Sequence, residues 1–173
     1  PYSDVPTSHT FAGYIAYCQK EGIISGYADG TFRPANTLTG YAFMKMLLGA
    51  LGYDAEVEQY TGANWSINVA KRALNIGLDD DLVGDFNGIK AVTREEACLY
   101  ALNTMTADMV EYDAKTTVST NGTTVVIAGS KAKEMVNNGN TDGKVFDKDG
   151  VMQFAEKYFD NLSVKTGSDD FSR

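Results

Sequence analysis

The sequence predicts a mainly α fold: tandem helix–loop–helix repeats followed by a small α+β region that contains a β-hairpin. Two observations carry the repeats. An apolar-patterned segment, a loop and a second apolar-patterned segment occur in that order, and the same order returns 54 to 55 positions later. Repetition of that kind sets the fold class before any single element does. A third observation carries the appended region: a Thr- and Val-rich stretch with Asn121-Gly122 at its centre, which is hairpin chemistry.

The first helix is expected over about 10–21, where Phe11, Tyr14, Ile15 and Cys18 fall at the one-faced spacing of an amphipathic helix. Gly22 stands where a helix-ending glycine belongs. Pro6 discourages helix at Val5, so Asp4-Val5-Pro6 reads as a short turn leading in. The stretch Gly22–Pro34 joins the first helix to the second and carries glycines at 22, 26 and 30. Ile23, Ile24, Tyr27 and Phe32 are too apolar for an idle solvent loop, which predicts a shaped loop with packed side chains. Thr39 reads as an N-cap. The second helix follows over about 40–51, with Phe43, Leu47 and Leu51 in one row and Met44 and Leu48 beside it.

In the second copy, Asn64-Trp65 corresponds to His9-Thr10, Gly77-Leu78 to Gly22-Ile23, and Thr93 to Thr39. It predicts a helix over about 65–76, a loop over 77–92 and a helix over about 94–105. The expected units are therefore 1–54, 55–106 and an appended region, 107–173, with its hairpin at about 116–128. Asn137 to Gly143 has loop composition. Phe154, Tyr158 and Leu162 lie four apart and predict a short C-terminal helix, and the tail from Lys165 is polar.

The length, 173 residues, suits one ordinary domain, or one domain with a small appendage. A formal net charge of −8 and a pI near 4.6 argue against wholesale binding to nucleic acid or an anionic membrane surface, while leaving room for a local cationic pocket. No run reaches the ~18 apolar residues of a membrane-crossing helix, so no membrane insertion is expected. Starting at Pro1 and ending at Phe171-Ser172-Arg173, the chain reads as a mature piece or part of something longer. Cys18 and Cys98 lack metal-like spacing and sit on apolar helical positions, which predicts buried free thiols, with a disulfide as the alternative.

The first copy resembles the S-layer homology family. The matching residues are Ser3-Asp4-Val5-Pro6, His9, Gly22-Ile23-Ile24, Gly26 through Pro34 and Leu38-Thr39. The second copy matches through Asn64-Trp65, Gly77-Leu78 and Val92-Thr93-Arg94-Glu95-Glu96-Ala97, the last being similar to the family's Thr-Arg-Ala-Glu signature. The resemblance covers about residues 2–105. It implies non-covalent attachment of an exported protein to the bacterial cell wall. The partner it implies is a wall-linked secondary polysaccharide, often carrying acidic pyruvyl ketals, held in grooves between repeats. An extracellular location at the wall or S-layer follows, with other S-layer subunits as further partners. Such repeats usually come in threes, whereas two are recognisable here. Gly40 stands where the signature has Arg, and Thr10 where it has Trp.

The expected glycan-binding set is Arg94, Arg33, Trp65, Tyr27, Gly26, Gly30 and Asp4. Thr93 and Glu96 form a capping box that has no need of Arg94. A cation in the first turn opposes the helix dipole. Arg94 is therefore either a planar clamp for an acidic sugar or one half of a surface ion pair with Glu95 or Asp85. Arg33 has the same two readings, and Asp29 is expected to organise its own turn. Asp4 either contacts ligand or braces its neighbours. Trp65 is either a sugar-stacking platform or core. His9, the single histidine, has no nucleophile partner by spacing, so catalysis is not expected, and neither is a cofactor. Asp79-Asp80-Asp81 with Asp85 and Asn87 holds oxygen ligands without the EF-hand spacing; no metal site is expected there or at Asp142 to Gly150. The competing reading is an assembly module that makes protein–protein contacts without binding glycan.

Overall fold

The computed structural model describes residues 2–113, 116–120, 123–127, 131–137, 150–159 and 162, and over 116–120 and 123–127 the backbone alone. Asn121-Gly122, the expected loop beyond Asn137 and the tail from Lys165 lie outside the described residues. Within them the chain is mostly helical, with two small antiparallel sheets. The elements are α1 (Ala12–Lys20), α2 (Gly40–Ala50), α3 (Trp65–Asn75), α4 (Arg94–Thr106), β1 (Val110–Glu111), β2 (Thr116–Thr120), β3 (Thr123–Ile127), β4 (Lys133–Glu134) and α5 (Phe154–Tyr158). The hairpin is present as β2 paired with β3, in register from Thr116 opposite Ile127 to Thr120 opposite Thr123.

The repeat is visible in how its helices begin and end. Thr39 Oγ1 accepts from Ala42 N at 3.4 Å. Thr93 Oγ1 accepts from Glu96 N at 3.1 Å, and the Glu96 carboxylate accepts from Thr93 N at 2.7 Å. Each supplies an acceptor to donors that a helix start leaves unpaired. At the other end, Ile23 N donates to Cys18 O and Leu78 N to Ala73 O, the same wrap in both copies.

The main core lies where the copies meet. Met44, Leu48 and Leu51 of the α2 region, Val69 and Ala73 of α3 and Leu78 are fully buried, and Tyr60, Tyr100 and Met109 nearly so. The expected α2 face is therefore the one that packs, with α3 and α4 against it. The two copies are also stitched through backbone. Gly40 N donates to Lys90 O, Tyr41 N to Gly88 O and Val92 N to Leu38 O. This pairing sets the N-termini of α2 and α4 side by side.

α1 behaves differently from its spacing. Ile15 is its buried residue, and it packs with Tyr2, Val5, Ala12, Ile24 and Phe32 in a small separate cluster. Tyr14, expected on the inner face, is 74% exposed and Phe11 58%. The spacing marks one apolar face, but the small cluster takes up Ile15 and leaves the aromatic pair in solvent. The cysteine expectation also needs correcting. Both thiols are free, yet Cys98 is exposed and Cys18 half-buried. Position 98 falls on the side of α4 away from Tyr100 and Thr104, the residues α4 buries.

The region after α4 is built onto the core. Val110 N donates to Leu51 O at 2.9 Å, joining it to the end of α2. Beyond this, three methionines close a ring of backbone hydrogen bonds. Met109 N donates to Met152 O, Met152 N to Met135 O and Met135 N to Met109 O, at 2.7, 2.7 and 2.9 Å. α5 then packs on α4 and opens as α4 does, with Glu156 accepting from Gln153 N at 3.0 Å.

Candidate functional site

Five of the expected residues meet in the loop of the first copy. The Asp4 carboxylate accepts from Phe32 N at 2.8 Å and from Arg33 N at 2.7 Å, and these bonds hold its pKa below the ordinary carboxylate value. Asp4 is thus a brace that ties the N-terminal turn to the loop exit. Asp29 accepts from Thr31 N at 3.1 Å, from Thr31 Oγ1 at 2.6 Å and from Arg33 at 2.7 Å. Those bonds, the Thr31 hydroxyl first, lower its pKa to about 2. Arg33 therefore pairs inside its own loop, and its guanidinium also lies 4.1 Å from the centre of the Tyr27 ring. Tyr27 keeps 47% of its surface exposed. The backbone of Arg33 is left-handed, at φ 60°, a conformation rare outside glycine; the Asp4 bond to its N–H helps hold it there.

Gly26 and Gly30 play different parts. At Gly26 (φ +69°) a Cβ would stand 2.2 Å from the Tyr2 ring, so the turn closes only because no side chain is present. At Gly30 the space beside the backbone is open. Gly30 donates to Tyr27 O and accepts from Ser3 N.

Arg94 lies apart from that loop, at the first position of α4. It is exposed, and among the described residues no ion pair or hydrogen bond engages its guanidinium. The expected pairs with Glu95 or Asp85 do not form. Glu96 instead takes Lys90, at 3.3 Å. Arg94 thus stands unpaired beside the joined N-termini of α2 and α4.

Trp65 opens α3 and packs on the edge of the main core, edge-on to Tyr41 with ring centres 6.3 Å apart. Tyr41 in turn packs edge-on to Phe86, at 5.8 Å. The ammonium of Lys45 sits 5.7 Å above the Trp65 ring. Lys45 has no carboxylate partner among the described residues, and burial lowers its pKa. The sequence hides this lysine between Met44 and Met46, inside an apolar run. The structure thus divides the expected set in three: the braced loop, the Trp65 edge and the open Arg94.

Among the described residues no group of three or more His, Cys, Asp or Glu is clustered for a metal, and none of the helices is long and apolar enough to cross a membrane.

Residues 1–40 match the family model of the S-layer homology domain. The chain is 26% identical to a middle cell wall protein of Brevibacillus brevis over 110 residues, 64% of this chain and 10% of that protein. It is 36% identical over 56 residues to a surface layer protein of Brevibacillus choshinensis, 32% of this chain and 5% of that one. An endoglucanase of a Bacillus species aligns along 99% of this chain at 25% identity, covering 19% of its own length. No solved structure matches. The chain thus spans a fifth or less of each of these relatives. The similarity to the S-layer homology domain thus lies within the first copy of the repeat, at residues 1–40.

Proposed function

We propose that this chain anchors an exported protein to the bacterial cell wall by binding an acidic secondary wall polysaccharide. It works outside the cell, at the wall, by recognition without chemistry. The observation that carries the reading is Arg94: an exposed guanidinium with no internal carboxylate, set beside two adjoining helix N-termini. The positive dipole end of a helix favours anions, and the guanidinium fork fits a sugar carboxylate. Lys45 over Trp65 adds a second unpaired cation beside an aromatic face. The match of residues 1–40 to the S-layer homology family and the similarity to wall and surface-layer proteins support the same reading.

Binding to purified wall polymer is expected to fall about tenfold in Arg94→Ala, the loss of roughly 1.4 kcal/mol, and to weaken as salt is raised. Walls stripped chemically of the secondary polymer should no longer retain the protein. Equal retention of wild type and Arg94→Ala would remove Arg94 from the site.

One observation favours assembly as a second reading. Phe11, Tyr14 and Tyr17 are 58%, 74% and 56% exposed on one region of α1, a concentration of apolar surface of the kind that contacts other proteins. That reading predicts concentration-dependent growth in light scattering without added polymer.

A further inference from the structure

We propose that the cleft between α3 and the segment following α4 is a second carbohydrate site, one that takes a neutral, hydroxyl-rich sugar. It stands independently of the reading of Arg94. The cleft has a volume of about 730 Å³, within the range of roughly 300–1,000 Å³ common for small-ligand pockets. One wall is α3 with the turn before it; the other is formed by residues 106–110 and 131–134.

Among its lining residues is a guanidinium held in place from behind. Arg72 donates to Glu58 at 3.1 Å and lies 5.2 Å from the centre of the Tyr53 ring. The other Glu58 oxygen accepts from the Tyr112 hydroxyl at 2.8 Å, and that hydroxyl accepts from Asp54 N at 3.3 Å. The Tyr60 hydroxyl lies beside the pair, and burial, reinforced by Glu58, pushes its pKa up. Of the pair, Glu58 is the covered partner, with 14% of its side chain exposed, and Arg72 at 38% is the one presented outward. An arginine fixed by a second layer is a preorganised hydrogen-bond donor.

The remaining lining selects the ligand. Among the described residues lining the cleft, the charges are mixed, with Arg72 and Lys131 beside Glu58 and Glu134, which gives an acidic polymer no cationic surface to bind. Carboxylates accept from sugar hydroxyls, while guanidinium and ammonium donate to them. Val57 and Ile76 on the α3 side, with Val110 opposite, supply apolar surface for the C–H faces of a pyranose. The cleft also gives the region after Thr106 a role, since without it Arg72 faces open solvent.

The test is an NMR titration of the ¹⁵N-labelled chain with cellobiose, with N,N′-diacetylchitobiose and with glucuronic acid as the acidic control. Saturable shifts are expected at the amides of Val57, Ile76, Thr106 and Ala132 with at least one neutral disaccharide. Arg72→Leu should weaken that binding about tenfold or more. Ala132→Trp, which fills the cleft and leaves the Glu58 network alone, should abolish it. Arg94→Ala should leave it unchanged, so failure here and failure of the wall-polymer reading are separable. The proposal is overturned if neither disaccharide shifts these amides, if the shifts persist in Ala132→Trp, if Arg94→Ala removes them, or if glucuronic acid binds more tightly.

Discussion

Single side chains in this molecule do more to fix loop shape than their types announce. Asp4 and Asp29 together lock the loop exit around a left-handed Arg33. Both carboxylates have pKa values lowered in the fold. A lowered folded pKa means that the unfolded chain binds protons first. For Asp29 the contribution is complete above its ordinary value of 3.8 and is lost as pH falls through about 2. Acid titration followed by NMR should therefore show the Thr31 amide, which donates to Asp29, moving in that window, and Asp29→Asn should remove most of the effect. Gly52 is a second residue of this kind. At φ +99° a Cβ there would stand 2.3 Å from Val110 O, at the junction between α2 and the appended region. Gly52→Ala is expected to destabilise by roughly 2–4 kcal/mol, combining left-handed strain with a backbone clash, measurable as a drop in the urea midpoint. Neither device was fully legible beforehand. The glycines of the first loop read as shape-makers, but nothing local says that Tyr2 fills the space beside Gly26, because that contact joins positions far apart in the chain.

At the scale of elements, the spacing arguments succeeded where a helix packs on another helix and failed where it does not. α2 buries Met44 and Leu48 and half-buries the Phe43 and Leu47 row beside them, because α3 and α4 lie against that face. α1 has equally ordered spacing, yet the cluster of Tyr2, Val5 and Phe32 covers little more than Ile15. Periodicity marks an apolar face; only tertiary structure decides whether anything meets it. The caps were legible because they are local. Thr93→Ala should cost about 1 kcal/mol, seen as a fall in Tm of about 2–4 °C for a chain of this length. Thr39→Ala should lose less, since its bond is longer and position 42 is alanine, with no carboxylate to complete the box. The site was harder to read than the fold. Arg94 and Trp65 stand out by type, but whether a charge is free depends on neighbours that the sequence does not place. Arg33 and Arg94 looked alike as letters and differ completely in company. Arg72 carries no signal in the sequence, because the Glu58 and Tyr112 that make its network lie 14 and 40 positions away along the chain.

For the whole molecule, the appended region is part of the core more than an attachment to it. Met109 and Val110 are buried with α2 and α4 residues, and Val110 N satisfies the end of α2. Removing everything after Thr106 should therefore lower the urea midpoint of what remains by more than either cap mutation and broaden the transition. The ring formed by Met109, Met135 and Met152 carries a consequence for timing. Each of the three strands of chain supplies one donor and one acceptor to the other two, so no pair of them is satisfied until the third arrives. Met152 is the last to be synthesised and, in an exported protein, the last to reach the folding compartment. Closure is then a late, long-range step, of the kind that slows folding. The amides of these three methionines should exchange with solvent as one cooperative unit, and none should be protected in a chain that stops short of residue 152.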